Sequence, residues 1–296
     1  MHHDPTPPDS LAHRLVEGSD GEHAVLHDFG GDGTPLLLSH GNGMNVGMWR
    51  AVVPLLVEHY HCYGLDLRGH GACRPVDPGY SVARDRFAGD VLGAIEAIGG
   101  GPLYYVAHSL GAASAIHAGL QHPAVFRGLW LFEPVVVPMD FVRSGGPSFL
   151  IEASRRRRME FASVDEAFEN FMAKPPFSQC EPAAVRGYVE FGTRPVGNGV
   201  RLSCEGEDEA RVFESGEPLD FAQLQTITCP VVIASGANTG GPHAIPAAVA
   251  PLIADALPNA VLEEHAGLTH FGPMENSATI AASILAHGRR IGEIAA

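Results

Sequence analysis

Short apolar runs bounded by glycine and proline alternate with longer stretches whose apolar positions recur at helical spacing. Runs of the first kind read as strands and stretches of the second kind as helices. Strands are predicted over 35–40, 61–67, 103–107, 128–133, 230–236 and 260–264, with a weaker alternating run over 23–29. Helices are predicted over 49–60, 81–98, 112–121 and 245–257, and a last one opening with Pro273 and Glu275. Regular strand–helix alternation predicts a mostly parallel, doubly wound sheet covered on both faces. Ligands on such sheets sit beyond the carboxyl ends of the strands. His40-Gly41-Asn42, Asp66, Ser109 and Glu133 all fall at those ends.

The alternation stops after Pro138. Helical segments over 149–161, 164–172 and 183–191 follow, with no run that reads as a buried parallel strand. The expected organisation is therefore a loose tail over 1–20, an α/β core over 21–138 and 223–296, and an inserted helical cap over 139–222.

Composition narrows the function classes. The net charge of −15 argues against nucleic acid and anionic membranes as partners. No run approaches a membrane span, and the polar, proline-rich start does not read as a signal peptide. Five scattered cysteines, without metal-like spacing, suggest reduced thiols and a cytoplasmic location. No cluster of metal ligands and no phosphate-binding glycine fingerprint is present, so neither metal nor cofactor is expected. The expected partner is a small-molecule substrate, and the sequence does not fix an oligomeric state.

The chemistry centres on Leu103 to Gly111. A strand ends in Ala107-His108-Ser109-Leu110-Gly111 and an Ala- and Gly-rich helix follows at once. A sharp strand-to-helix turn lifts a central serine out of the sheet and aims a helix N-terminus at nearby negative charge. Ala107 stands where glycine is usual. Together with His40-Gly41-Asn42-Gly43, Asp66-Leu67-Arg68-Gly69-His70-Gly71 and Gly267-Leu268-Thr269-His270-Phe271, in this order and spacing, the chain resembles the α/β-hydrolases of the capped, lipase/esterase-like kind. The resemblance runs from His23 to the last helix.

It implies Ser109 as nucleophile and His270 as its base, with His265 ranked lower. The amides of Asn42 and Leu110 would form the oxyanion hole, with the Asn42 side chain as a further inward-facing group. Gly43, His108 and Trp49 are assigned to the substrate side of the site, and His40 to structure. The family's usual acid follows the strand over 230–236, where this chain has Asn238 and no carboxylate. Asparagine in that role favours the wrong histidine tautomer and costs about 10⁴-fold in a serine protease. Glu133, at the end of the preceding strand, is assigned as the acid instead, with Asp140 more distant. The competing reading pairs Glu133 with a cap arginine and leaves a Ser–His dyad. Asp66 and Arg68 are read as structural, Arg68 tying loops together and Asp66 capping a turn, and Arg155 to Arg158 as a solvated face, with a carboxylate clamp as the sharper alternative. The cap residues Phe141, Phe149, Phe161, Phe168 and Phe171 are read mainly as packing.

The expected activity is cofactor-free hydrolysis of a small to medium, fairly apolar ester or lactone through an acyl-enzyme. Carbon–carbon bond hydrolysis and acyl transfer would use the same residues. A binding or receptor-like protein is the reading from another class. A Glu133 turned away from His270 would support it, and a Glu133 docked on His270 would count against it.

Overall fold

A computed structural model describes residues 11–73, 79–139, 148–216, 218–236 and 244–295. Asn238, Asp140 and Phe141 lie outside the described residues, as does the tail over 1–10.

In chain order the first half holds β1 (His13–Glu17), β2 (His23–Gly30), β3 (Thr34–Ser39), α1 (Val53–Leu56), β4 (Tyr60–Asp66), α2 (Arg84–Ile98), β5 (Leu103–His108), α3 (Ser109–Gln121) and β6 (Phe126–Phe132). There follow β7 (Val137–Pro138), α4 (Ser148–Arg156), β8 (Glu160–Phe161), α5 (Val164–Met172), α6 (Pro182–Phe191), β9 (Thr193–Val196), β10 (Gly199–Leu202), α7 (Gly206–Glu214) and β11 (Pro218–Leu219). The chain ends with β12 (Val231–Gly236), α8 (Ala244–Ala256), β13 (Ala260–His265), α9 (Gly272–Glu275) and α10 (Ser277–Arg290).

Eight strands form one sheet in the order β1-β2-β4-β3-β5-β6-β12-β13. From β4 to β13 neighbouring strands run parallel, while β1–β2 and β2–β4 are antiparallel. Side chains of a strand alternate between faces, and here both faces are buried. Leu37, Tyr105, Ala107, Leu129, Leu131 and Ile233 pack with α2, α3 and α8. Leu36, Leu38, Tyr104, Val106, Trp130 and Phe132 pack on the other face with α10 and α6. Helix α3 is built from alanine and glycine because it lies almost on the sheet: a β-carbon at Gly111 would meet the Ser39 hydroxyl and the His40 carbonyl.

Between β7 and β12 lie helices α4 to α7 and a three-stranded sheet, β8-β10-β9. Helix α6 sits on the 3-10 turn Val46–Trp49, where a β-carbon at either Gly47 or Gly187 would strike the other's carbonyl. The Asn45 side-chain amide closes the contact by donating to the Tyr188 carbonyl at 2.9 Å. We call this segment the cap.

Three expectations change. The tail expected over 1–20 contains β1, paired along its length with β2; its sequence, His-Arg-Leu-Val-Glu, is polar because only Val16 is buried. The helix expected over 49–60 is a 3-10 turn capped by Asn45, followed by the single turn of α1. The last helix is two, because Asn276 takes an extended backbone and its side chain caps α10 through the Thr279 N–H.

Candidate active site

Strand β5 ends at His108 and α3 starts at Ser109 with nothing between. One residue must reverse the chain there, and Ser109 takes φ 52°. Glu133, just past the end of the adjacent parallel strand β6, takes φ 46°. They are the two non-glycine residues in the left-handed region among the described residues. Such strain persists only where surrounding structure holds it, and it clusters at functional sites.

His270 stands in the loop between β13 and α9. Its Nε2 is 3.2 Å from Ser109 Oγ and its Nδ1 is 2.5 Å from Glu133 Oε2. The carboxylate has no solvent exposure, so it needs partners within the protein. It has them: Oε1 accepts the Gly236 N–H at 2.9 Å and the Ser235 hydroxyl at 3.3 Å. With Nδ1–H given to Glu133, Nε2 turns its lone pair to the Ser109 hydroxyl.

The backbone of His270 is held as firmly. His108 Nε2–H donates to the His270 carbonyl at 2.8 Å. The Glu275 carboxylate receives the Thr269 N–H at 2.7 Å and the Thr269 hydroxyl at 2.5 Å.

The loop after β3 passes directly over the serine: the β-carbon position at Gly41 is 3.2 Å from Ser109 Cβ. Gly43 has φ 73°, and its N–H donates to His70 Nε2 at 3.0 Å. Asp66 fixes the loop further on, accepting the Val46 N–H and the Ala72 N–H at 2.8 Å each, while His27 donates at 2.9 Å. Burial would raise the Asp66 carboxyl, but His27 and these donors hold it below its ordinary value. His40 accepts the Leu67 N–H at 3.1 Å, and burial, with His70 beside it, pulls its pKa down to about 4. Both residues are thus loop ties. Arg68 is another, joining Asp20 at 2.7 Å to Asp90 at 2.6 Å. The Leu110 amide is in the first turn of α3, where no intrahelical acceptor exists.

Several assignments change. Trp49 is fully buried in the core with Nε1–H bound to the Ser39 carbonyl at 3.0 Å, so its ring is closed to a substrate. His108 is buried and spent on the His270 carbonyl, and Gly43 lies beneath the cap residue Glu209. The Asn42 side chain also turns to the cap, donating to the Glu209 carbonyl at 3.0 Å. His265 faces Glu263 rather than the serine. Glu133 pairs with His270 and with no cap arginine among the described residues. Arg155, Arg156 and Arg158 are exposed and paired with Glu207, Glu152 and Glu166, but Arg157 turns inward to Glu209. Phe149 is exposed, whereas Phe161 and Phe171 pack on each other and Phe168 lies under Arg186.

Sequence reasoning assigned no role to His70, although Gly69-His70-Gly71 stood in a noted motif. It treated Glu275 only as a helix-start signal. Glu209 carries no local signal at all.

The family model described as "Alpha/beta hydrolase family" matches residues 36–283. The chain belongs to that family. Among curated relatives of this alpha/beta hydrolase, the 2-(acetamidomethylene)succinate hydrolase of Mesorhizobium japonicum is 26% identical over 71% of this chain and 72% of its own length. The 2-hydroxymuconate semialdehyde hydrolase of a Pseudomonas species is 30% identical over 49% of this chain, and the match spans 53% of that protein. Among solved structures, an E-2-(acetamidomethylene)succinate hydrolase superposes with TM-score 0.74 at 20% identity, covering 93% of this chain and 98% of that one. The esterase RhEst1 from a Rhodococcus species gives 0.73 at 20% identity, covering 96% and 99%. Among the described residues no group of His, Cys, Asp or Glu is arranged to hold a metal ion, and no helix is long and apolar enough to cross a membrane.

Proposed function

We propose that this protein is a cofactor-free serine hydrolase that cleaves a carboxylic ester or lactone of a small to medium substrate. The observation that carries the reading is the continuous hydrogen-bonded line from Ser109 through His270 to a buried Glu133. Ser109 Oγ attacks the carbonyl carbon while His270 Nε2 takes its proton. The developing oxyanion is held by the Asn42 and Leu110 amides. His270 returns the proton to the leaving alcohol, then removes one from water, which releases the acid from Ser109. Glu133 fixes the tautomer of His270 and balances its positive charge. The docking of Glu133 on His270 counts against a purely binding role.

A second reading keeps the residues and changes the bond. The names of two relatives specify acetamidomethylene succinate and hydroxymuconate semialdehyde, compounds without an ester group. Their likeness favours a carbon–carbon or amide bond, and a substrate bearing carboxylates, as the target.

Labelling with a fluorophosphonate probe, followed by mass spectrometry of the modified peptide, tests the shared core of both. Label is expected on Ser109 in the wild type, absent in Ser109→Ala and greatly slowed in Glu133→Gln. No label on the wild type would return the binding-protein reading to first place. Product analysis on a panel of esters, lactones and carboxylate-bearing diketones and amides then separates the two hydrolytic readings.

A further inference from the structure

The loop that carries the Asn42 amide is held from the cap as well as from the core. Asn42 Nδ2 donates to the main-chain oxygen of Glu209, on α7, at 3.0 Å. The Tyr188 hydroxyl, on α6, reaches the Gly43 carbonyl at 3.4 Å. The Glu209 carboxylate itself occupies the place where a β-carbon at Gly43 would stand. A side chain at Gly43 is therefore excluded twice, by φ 73° and by this contact.

A carboxylate in that position is electrostatically wrong for the proposed reaction. Negative charge develops on the substrate oxygen beside this same loop, and a second anion at short range opposes it. The Gly41 β-carbon position is 3.2 Å from Ser109 Cβ. Successive Cα atoms are about 3.8 Å apart, so the Glu209 carboxylate lies on the order of 10 Å from the reacting carbon. At an effective dielectric near 20, an unbalanced unit charge at about 10 Å changes a rate by roughly tenfold.

The structure balances it. Arg157 Nη1 lies 2.7 Å from Glu209 Oε2, and both side chains are largely out of solvent, at 18% and 15% exposure. The guanidinium also donates to the Cys204 carbonyl, which fixes it at the root of α7. Of the four consecutive arginines, this is the one that faces inward; the other three pair with exposed carboxylates at the cap surface.

We propose that Arg157 is a positioning residue for the oxyanion hole, which neutralises the Glu209 carboxylate that the cap lays on the Asn42–Gly43 turn. The role rests on the serine-hydrolase reading. It makes an innermost cap arginine necessary even for a substrate that carries no charge.

The test is the turnover of neutral 4-nitrophenyl acetate, with the rate of fluorophosphonate labelling of Ser109, in wild type, Arg157→Met, Arg157→Lys and the double variant Arg157→Met/Glu209→Gln. Arg157→Met should lower kcat and the labelling rate roughly tenfold, with KM moving less than threefold. Arg157→Lys keeps the cation and should retain most of the rate. The double variant removes the uncompensated anion while preserving the main-chain bond to Asn42, and should recover most of the loss. A residue that only packed the cap would give the opposite ranking, with the double variant slower than the single. That ranking, or a loss confined to KM, overturns the inference. Arg157→Gln serves the same comparison if methionine disturbs folding. An unlabelled wild-type serine would overturn the hydrolase reading and this inference together, whereas labelling that is indifferent to Arg157 overturns the inference alone.

Discussion

The two sides of the site are held by different parts of the chain. Ser109, Glu133 and His270 stand at or beyond the ends of β5, β6 and β13, and the partners of the Glu133 carboxylate, Ser235, Gly236 and His270, belong to the α/β core. The loop bearing Asn42 is shared: His70 and Asp66 hold it from the core, Glu209 and Tyr188 from the cap. The core side is rigid by construction, because parallel strands buried on both faces leave no room for a shifted register. On the cap side the loop is reached only by polar contacts from α6 and α7, although α6 itself shares the apolar cluster on that face of the sheet. Changes on the core side should therefore act as all-or-none losses of chemistry, and changes on the cap side as graded ones.

The largest effect should come from Glu133→Gln. The glutamine carbonyl oxygen can still accept the Gly236 N–H, but its amide then faces His270 Nδ1 and selects the tautomer that presents N–H to Ser109. A fall of kcat by about 10³–10⁴ is expected, by analogy with the triad acid of a serine protease, against roughly tenfold for Arg157→Met. Steady-state kinetics on one substrate check both. A loss under tenfold in Glu133→Gln would erase the contrast and leave Ser109 and His270 as a dyad.

The same contrast should appear in stability. Leu131 is fully buried near the carboxyl end of β6, and Leu131→Ala should cost about 2–5 kcal/mol. Phe168, in the cap, is half-buried beneath Arg186 with 3.9 Å between guanidinium carbon and ring centre. Phe168→Ala should cost about 1 kcal/mol. Urea unfolding followed by circular dichroism measures the two, and equal losses would show the cap to be as tightly integrated as the sheet.

This division also decides what could be read from the sequence. Strands β5, β6 and β12 are mainly apolar because both their faces are covered, and the two strained residues directly follow β5 and β6. Strand β1 and the β9–β10 hairpin escaped notice because edge and surface strands keep arginine, glutamate and proline in view of solvent. At the site, Ser109 and His270 were legible from local motifs, and Glu133 from a charge ending an apolar strand. The reach of Asn42 to Glu209 spans 167 residues and has no local pattern. Arg157 could not be separated from its three neighbours, since only the packing of α4 against α7 decides which guanidinium turns inward.

A last contrast, which separates the two regions directly, is their response to acid. Burial, aided at His287 by the charge of Arg290, pulls His40 and His287 down to about 4. Both belong to the core, and no histidine occurs between 139 and 222. The unfolded chain binds these protons near the ordinary histidine value of about 6.5. The folded chain does not bind them until the pH approaches 4, so their contribution is complete above about 6.5 and is lost progressively below it. Each histidine adds a slope of about 1.4 kcal/mol per pH unit within that window. In the cap, the Ala162 N–H and Arg158 lower Glu166, Arg201 lowers Glu205, and Arg155 lowers Glu207. A lowered carboxylate contributes stability that is intact above the ordinary glutamate range and fades only below it. Trp49 and Trp130, the two tryptophans of the chain, are both buried in the core, so their fluorescence reports on that region. The urea midpoint by tryptophan fluorescence should fall between pH 7 and pH 5, before the cap carboxylates begin to titrate. A midpoint that stays flat to pH 5 and drops only below about 4.5 would place the acid-sensitive groups among the carboxylates and leave the buried histidines without effect.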